Sequence, residues 1–330
     1  MTPTAFCILG LKNGGLGEEI QMFGGSTQGA PGPRHPVTAN NSRRFRARVV
    51  VVGNEKGGAG KSTLAALIAV SMMYRGQRVA VMDLDLRQQS LSRFFTNRRR
   101  WLPAAKMEAP MPREYKLVEN PASIVDNQPL ACRLFDQALA LAMGEADLVV
   151  IDTPGGDNAV NRAAHLQADL VVTPMNDSFV DFDVIGNVDP LTLQLIRPSH
   201  YAENILRARA MRAQHSRALD WVVLRNRLAG ADTHNRERLG HALEQLSREV
   251  GFRIGPPMRE RVVYREMFPF GLTLADVSSR LRPDNVTSPK MAARAEVNDL
   301  LEALGLIVLN RADADARPRP AKALEYASTL

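Results

Sequence analysis

The chain is poor in cysteine, in aromatic residues and in lysine, and it has no long hydrophobic run. Its two cysteines, Cys7 and Cys132, stand far apart, which excludes a disulfide framework, so we expect free thiols. No apolar run reaches the ~18 residues of a membrane helix. Aromatic residues make up 5% of the chain and hydrophobic residues 45%, so the expected core is aliphatic, as in buried parallel sheets.

The basic residues are mostly arginines. Only seven of the 42 basic residues are lysines, and the formal net charge is +7. This composition favours contact with a polyanion, but a genome rich in arginine codons produces it equally well, so charge alone does not identify a partner. Near Met1 there is neither the charged segment nor the apolar segment of a secretory signal, so we expect a cytoplasmic protein.

Turn-forming and polar residues dominate both ends of the chain. Residues 1–44 contain glycine pairs and a Pro-Gly-Pro turn, and residues 311–330 contain an Arg-Pro-Arg-Pro stretch. We expect a disordered N-terminal extension at 1–44, one domain at 45–310, and a disordered C-terminal tail at 311–330.

Short apolar runs alternate with helical patterns between these ends. The runs lie at 49–52, 79–82, 148–151, 170–172, 221–224 and, more weakly, 252–254. Such runs are typical of strands that are buried on both faces. The alternation predicts an α/β fold with a doubly wound, mostly parallel sheet and helices on both faces.

A glycine-rich loop with two lysines separates the first apolar run from a helical pattern. It reads Lys56-Gly57-Gly58-Ala59-Gly60-Lys61-Ser62-Thr63. Between a strand and a helix, such a loop binds phosphates, because small residues expose backbone N–H groups and the helix adds its positive end. We predict that the loop binds a nucleotide, that Lys61 contacts its β- and γ-phosphates, and that Ser62 ligates Mg²⁺.

The loop departs from the ordinary phosphate-loop pattern at two positions. Glu55 stands where the first glycine is expected, and Lys56 adds a second lysine at the front. Together these residues give the deviant form of the motif. A dinucleotide-binding loop is the weaker alternative, because the third glycine is missing at its usual spacing and a lysine suits phosphates better than a nicotinamide ribose.

Acidic residues follow two of the predicted strands. Asp83 and Asp85 follow the run at 79–82, and Asp152 ends a Walker B pattern. Carboxylates at the carboxyl ends of parallel strands face the ligand crevice. We predict that Asp85 orients the attacking water, that Asp83 and Asp152 hold the Mg²⁺ shell through water, and that Gly155 turns its amide toward the γ-phosphate as a switch.

Two residues later in the chain are candidates for the base pocket. Asn226 follows the run at 221–224, and its amide can pair with an adenine edge as both donor and acceptor. An asparagine in a tight turn is the alternative. Pro256 is the candidate for the opposite wall of the pocket.

The loop, the two switch aspartates and the Walker B strand together resemble the deviant Walker A ATPases, the family of ParA and MinD. The resemblance covers roughly residues 48–306. Three segments are similar to the MipZ division-site regulators of that family, namely 53–63, 83–88 and 173–183. The resemblance implies that two subunits enclose two ATP molecules with Mg²⁺ between them, and that Lys56 reaches the partner's phosphates.

The resemblance also implies a cellular role. MipZ-like proteins bind the centromere-associated ParB complex as monomers, form homodimers with ATP, bind DNA without sequence preference and block assembly of the tubulin-like FtsZ. Slow ATP hydrolysis returns them to monomers. We therefore expect FtsZ, ParB and non-specific double-stranded DNA as partners, and a nucleoid-associated protein in a bipolar gradient.

Five arginines are candidates for contacts with DNA phosphates. They are Arg207, Arg209, Arg212, Arg236 and Arg238. Non-specific binding needs several phosphate contacts and few base contacts. A solvated helix face is the alternative for any one of them.

Three other functions fit parts of the sequence. A MinD-like membrane switch needs a C-terminal amphipathic helix with a basic face, whereas the stretch 297–309 carries Asp299 and Glu302, so we expect no membrane binding. A ParA-type segregation ATPase shares the fold, the dimer and the DNA binding, and it stays open as the alternative. An iron–sulfur reductase or a ligase on this fold is disfavoured, since neither cysteine lies near a switch loop and no second substrate site is evident.

Overall fold

A computed structural model describes residues 46–117, 127–189, 192, 194–228, 233–276 and 288–308. The segments predicted as tails, 1–44 and 311–330, lie outside the described residues, as does Cys7. The strands are β1 (Arg48–Val52), β2 (Val79–Asp83), β3 (Arg113–Glu114), β4 (Leu148–Asp152), β5 (Leu170–Asn176), β6 (Gly186–Val188), β7 (Leu195–Pro198), β8 (Asp220–Asn226) and β9 (Arg253–Ile254). The helices are α1 (Lys61–Met73), α2 (Ser90–Ala104), α3 (Gln128–Glu145), α4 (Ala159–Gln167), α5 (His200–Ala213), α6 (Thr233–Val250), α7 (Val262–Met267) and α8 (Ser288–Ala303).

Seven strands form one parallel sheet in the order β3-β2-β4-β1-β5-β8-β9. Strand β1 lies near the middle, between β4 and β5, and the strands that follow it in the sequence lie on both sides of it. Open α/β sheets bind ligands outside the carboxyl ends of the strands, where the strand order reverses. The predicted fold class is confirmed, and the sheet order places the ligand crevice at the end of β1.

Two aliphatic cores cover the two faces of this sheet. Because successive side chains of a strand point to opposite faces, Val49 and Val51 pack with α3, α4, α5 and α6, while Val50 and Val52 pack with α1, α2 and α8. All four valines are fully buried. Burial on both faces explains why β1 reads as an unbroken apolar run.

Four strands continue past the ends of their apolar runs. The strands β2 and β4 include Asp83 and Asp152, β5 continues to Asn176, and β8 continues to Asn226. Asp83 pairs in register with Asp152, and Asn176 with Asn226, so backbone pairing and not hydrophobicity keeps these polar residues in the strands. The predicted ends of these strands were therefore too early.

A separate antiparallel hairpin, β6–β7, was not predicted from the sequence. Its strands are short and largely exposed, so they leave no apolar run to detect. Among the helices of the described residues, none has the length and apolarity that a membrane crossing requires.

Candidate nucleotide site

The phosphate loop connects β1 to α1, and its glycines have distinct structural reasons. Gly58 and Gly60 have φ of +77° and +88°, which side chains with a Cβ rarely adopt. A Cβ on Gly60 would also lie 2.4 Å from Asn226 Nδ2. Gly57 is exposed, and a Cβ there would meet no atom of the described chain within 4 Å. Gly57 is therefore not needed for the loop's own packing.

The two lysines of the loop face different surroundings. Lys61 is buried, and its Nζ donates to the backbone oxygen of Lys56 at 2.9 Å. Burial lowers the pKa of Lys61, although the charges of Asp152 and Asp85 oppose this shift. The Lys56 side chain keeps 31% of its surface exposed, and its Nζ lies 3.2 Å from Asp181 Oδ1. Lys61 thus faces the interior of the loop, whereas Lys56 is partly exposed and pairs with Asp181 of its own chain.

Asn54 connects the phosphate loop to the neighbouring strand. Its Nδ2 donates to the backbone oxygen of Pro174 at 2.6 Å, and its Oδ1 accepts from the Lys56 N–H at 2.7 Å. The side chain is buried. Asn54 therefore fixes the backbone of Lys56 relative to β5.

The first switch loop is organised by Asp83. Its Oδ1 accepts from the Asp85 N–H at 3.0 Å, and its Oδ2 accepts from the Ser92 N–H in the first turn of α2 at 2.9 Å. Asp85 in turn accepts from the Gln88 N–H through Oδ1 at 2.9 Å. Asp83 thus holds the loop that carries Asp85, and both its oxygens accept backbone hydrogen bonds.

Asp152 provides the observation that fits a divalent cation. It is fully buried, and within the described chain neither carboxylate oxygen has a hydrogen-bond partner. Burial, followed by the charge of Asp83, raises the pKa of Asp152 well above its usual range, although the Ser62 hydroxyl and the charge of Lys61 oppose this shift. A buried carboxylate pair that is only partly offset in this way is stabilised by a bound cation.

The residues therefore fit Mg²⁺, which takes oxygen ligands and retains several waters. In the described ranges no three His, Cys, Asp or Glu side chains could hold a metal ion by themselves. Ser62, Asp83 and Asp152 would then supply only part of the shell, with water and phosphate oxygens supplying the rest.

The second switch turn lies directly on the phosphate loop. The Gly156 N–H donates to the Glu55 backbone oxygen at 2.8 Å, and a Cβ on Gly155 would lie 3.0 Å from that same oxygen. Burial, then the charge of Asp157, raises the pKa of Glu55. The predicted switch residue Gly155 can thus lie this close to the loop because it has no side chain.

Asp157 links the switch turn to two helices. Its carboxylate contacts Arg162 of α4, lies 3.0 Å from His200 Nε2, and accepts from Asn204 Nδ2 at 3.3 Å. His200 and Asn204 both belong to α5.

The predicted base-pocket residues lie at the same edge of the sheet. Asn226 Nδ2 donates to the Ala59 backbone oxygen at 2.8 Å, which brings the end of β8 to the phosphate loop. The segment around Pro256 is held beside β8, since the Met258 N–H donates to the Arg225 oxygen at 2.8 Å. Asn226 and the loop are therefore brought together, and Pro256 lies in the segment next to them.

Two of the five arginines predicted to contact DNA have structural partners instead. Arg212 is 4% exposed, and its guanidinium lies 2.5 Å from Asp169 Oδ1. Arg209 Nη1 donates to the Gly251 backbone oxygen at 2.7 Å, and burial lowers its pKa. The prediction was wrong for Arg212, which is buried, and Arg209 holds α5 to the turn between α6 and β9. Arg207 and Arg238 are exposed, and the side chain of Arg236 lies outside the described part of the chain.

Sequence reasoning missed several polar residues around the loop. They are Asn54, Asp157, Asn161, His165 and Asp181. Asn54 and Asp181 lie within the segments that carry the family resemblance, and that was the signal available for them. Asn161 and His165 are ordinary helix residues in the sequence, and only the fold brings them under the switch turn.

A family model described as ATPase MipZ matches residues 48–308. The chain belongs to this family. The match includes the phosphate loop, both switch loops and the predicted base pocket, so MipZ membership rests on the whole ATPase domain.

The similar proteins include a ParA protein and iron–sulfur cluster proteins. Protein ParA of Rhizobium radiobacter is 26% identical over 236 residues, which cover 70% of this chain and 87% of that protein. The iron–sulfur cluster carrier protein of Rickettsia bellii is 27% identical over 155 residues, covering 43% of this chain and 48% of that protein. The chain thus spans about half the length of the iron–sulfur relatives it matches.

Two solved structures with bound nucleotide share the fold. A putative plasmid partition protein from Borrelia burgdorferi bound to AMPPNP has a TM-score of 0.50 and 15% identity, over 79% of this chain and 100% of that chain. The ATP complex of a Cyanothece McdA variant has a TM-score of 0.52 and 14% identity, over 80% of this chain and 99% of that chain. At these identities the likeness establishes the fold.

Proposed function

We propose that this MipZ-family protein is an ATP-dependent dimerising ATPase that positions cell division by inhibiting FtsZ assembly. In this proposal it also binds ParB and, without sequence preference, double-stranded DNA. The observation that carries the proposal is the arrangement of the two lysines, with Lys61 inside the phosphate loop and Lys56 partly exposed at its front. Residues 45–310 supply the activity, between the extensions 1–44 and 311–330.

Electrostatics explains why nucleotide and dimer are coupled. Two triphosphates that face each other across a subunit seam repel unless cations lie between them. Lys56 supplies a cation at that seam when ATP is bound. Because ATP then stabilises the dimer and not the monomer, its binding shifts the equilibrium to dimers by mass action.

The residues around the loop have separate roles in ATP hydrolysis. Lys61 and the loop amides bind the phosphates, and Asp85 orients the attacking water. Ser62, Asp83 and Asp152 would hold Mg²⁺, which supplies charge neutralisation at the β- and γ-phosphates when bound. Gly155 presents its amide to the γ-phosphate, and slow hydrolysis at this site limits the lifetime of the dimer.

DNA binding places the dimer on the nucleoid. Arg207, Arg236 and Arg238 are the proposed phosphate contacts, since each added contact strengthens a sequence-independent interaction. ParB binds the monomer and concentrates it at the cell poles. The dimers that then form with ATP are therefore most abundant near the poles. The predicted location is a cytoplasmic, bipolar gradient on the nucleoid.

FtsZ polymerisation is the experiment that tests the proposal. Purified protein with ATP is expected to shorten FtsZ polymers in a sedimentation assay, whereas the protein with ADP leaves them unchanged. Lys56→Ala with ATP is the matched control, because it keeps the fold and Lys61 but removes the seam cation. Full-length FtsZ polymers in the presence of ATP-bound wild-type dimer would refute the proposed role in division.

A ParA-type segregation ATPase is the second candidate, supported by the similarity to ParA of Rhizobium radiobacter along 70% of the chain. It predicts ATP-dependent dimers and DNA binding with no effect on FtsZ. An iron–sulfur carrier has less support, because the chain has two cysteines and Cys132 is buried in the core within α3.

A further inference from the structure

Helix α4 carries buried polar atoms without partners directly beneath the second switch turn. His165 is 3% exposed and Asn161 5% exposed. Within the described residues, the two ring nitrogens of His165 have no hydrogen-bond partner. The same is true of Asn161 Oδ1. The two residues are one helical turn apart and so lie on the same side of α4. They line one narrow pocket together with Glu55 and Asp157.

Other polar groups converge on the same pocket. A Cβ on Gly53 would lie 3.1 Å from His165 Nε2, 3.1 Å from Tyr201 Oη and 3.2 Å from Thr153 Oγ1. The hydroxyls already donate elsewhere, Tyr201 to the Gly53 oxygen at 2.7 Å and Thr153 to the Val52 oxygen at 3.1 Å. The Tyr201 oxygen also lies 2.8 Å from Thr173 Oγ1 and so accepts from that hydroxyl, whereas Thr153 Oγ1 keeps acceptor capacity toward the pocket and His165 has no partner among the described residues.

The protonation state of His165 defines what the pocket can bind. Burial lowers the pKa of His165 to about 4, although the charge of Asp157 opposes the shift. The ring is therefore neutral near pH 7 and has one donor and one acceptor nitrogen. Its edge-on packing against Tyr201, at 5.5 Å between ring centres, fixes the ring plane. The pocket thus offers donors and acceptors but no net charge from the ring.

We propose that an ordered water molecule binds in this pocket between Asn161 Oδ1 and the His165 ring, and that the two residues with this water position the second switch turn. Buried polar groups in proteins are nearly always hydrogen-bonded, and internal waters satisfy those that protein groups do not reach. Polar side chains form most of the pocket's lining, and its volume of about 10 Å³ is the minimum for one water molecule. A water can donate to Asn161 Oδ1 and accept from the His165 N–H.

Asn161 transmits this contact to the switch. Its Nδ2 donates to the backbone oxygens of Gly156 at 2.8 Å and Pro154 at 3.4 Å, on both sides of Gly155. A hydrogen bond to Oδ1 fixes the orientation of the amide, and therefore the two carbonyls that Nδ2 holds. His165 is thus a positioning residue that acts through the water and Asn161. Its effect on hydrolysis rests on the proposed function, whereas the water site does not.

Two variants of His165 and one structure test this inference. A high-resolution crystal structure of the wild-type protein should contain a water within hydrogen-bond distance of Asn161 Oδ1 and a ring nitrogen of His165. His165→Phe keeps an aromatic ring against Tyr201 but removes both nitrogens, so kcat for ATP should fall about tenfold with KM unchanged. His165→Gln restores a donor and an acceptor and should recover most of the lost rate.

A pocket without water in the wild-type structure overturns the inference, as does an unchanged kcat in His165→Phe. Equal losses in the Phe and Gln variants also overturn it, because they indicate only disturbed packing. If the wild-type protein hydrolyses no ATP at all, the proposed function fails instead. In that case the crystal structure alone still decides whether the water site exists.

Discussion

The ammonium group of Lys56 lies 3.2 Å from the carboxylate of Asp181, a residue 125 positions further along the chain. Asp181 is 7% exposed, and its other oxygen accepts from the Asn176 N–H at 2.9 Å. The carboxylate is therefore held in place by the end of β5. Lys56 is thus paired within its own chain, so its proposed contact with the partner's phosphates requires an exchange of anions.

Asp181→Asn should therefore strengthen ATP-dependent dimerisation. The amide oxygen can still accept from Asn176, but Lys56 loses a negative counter-charge. For a partly exposed pair the effect is about 0.5–1 kcal/mol per subunit, or about a two- to fivefold change in the equilibrium for each. Analytical ultracentrifugation with an ATP analogue measures it. Asp183→Asn, an exposed neighbour, is the control, and a weaker dimer in Asp181→Asn would contradict the exchange.

Gly57→Val should hold the protein in the monomeric state with ATP. A Cβ at this position meets no atom of the described residues within 4 Å, so the fold and the melting temperature should be unchanged. In the proposed dimer the added methyl groups crowd the partner subunit. Light scattering with ATP measures the mass, and dimers of normal stability would show that Gly57 lies away from the seam.

Asp85→Ala should bind ATP normally but hydrolyse it at least about 100-fold more slowly, because the attacking water loses the carboxylate that orients it. Dimers should then accumulate with ATP. Nucleotide titration and a phosphate-release assay separate the two effects. Asp85→Asn serves as a control for loop structure, because its amide oxygen can still accept from the Gln88 N–H. Wild-type turnover in the alanine variant would exclude this role.

Replacing Arg207, Arg236 and Arg238 by alanine should weaken DNA binding without affecting the dimer. Each lost phosphate contact lowers the slope of log affinity against log salt concentration by about 0.9, so loss of all three contacts lowers it by about 2.7. Binding of a random duplex at several salt concentrations measures the slope. Arg133→Ala, exposed on α3, is the matched control. An unchanged slope would remove this group from the DNA-binding surface.

Arg98→Met should destabilise the fold by about 3–5 kcal/mol, because it leaves the buried carboxylate of Asp276 without its cation. Arg98 and Asp276 are 0% and 1% exposed and pair at 2.7 Å. Urea unfolding measures the loss. Arg99→Met, on the same helix with a largely exposed guanidinium, should cost less than about 1 kcal/mol. Equal stabilities for the two variants would contradict the buried ion pair.

Sequence reasoning was sufficient where function depends on residues that follow a strand directly. The phosphate loop, Asp83, Asp85 and Asp152 could be placed at one edge of the sheet because parallel strands align their carboxyl ends. Arg212 shows the limit of this reasoning. Nothing in a helical arginine pattern reveals that Asp169 lies within reach, because that proximity depends on how α5 packs against β5.

The missed residues have the same physical origin. Asp181 meets Lys56 only after β5 is placed beside β1, and His165 meets the switch turn only after α4 packs on the sheet. Local propensity contains no information about such long-range contacts. The arrangement of the main sheet could therefore be predicted from the sequence, whereas the side chains that contact the site residues could not.

The molar mass of the wild-type protein and of Lys56→Ala, measured by light scattering with a slowly hydrolysed ATP analogue and with ADP, tests the central claim most directly. The account predicts a mass twice that of the monomer for the wild-type protein with the analogue, and a monomer in the other three cases. A Lys56→Ala dimer as stable as the wild-type dimer would contradict it.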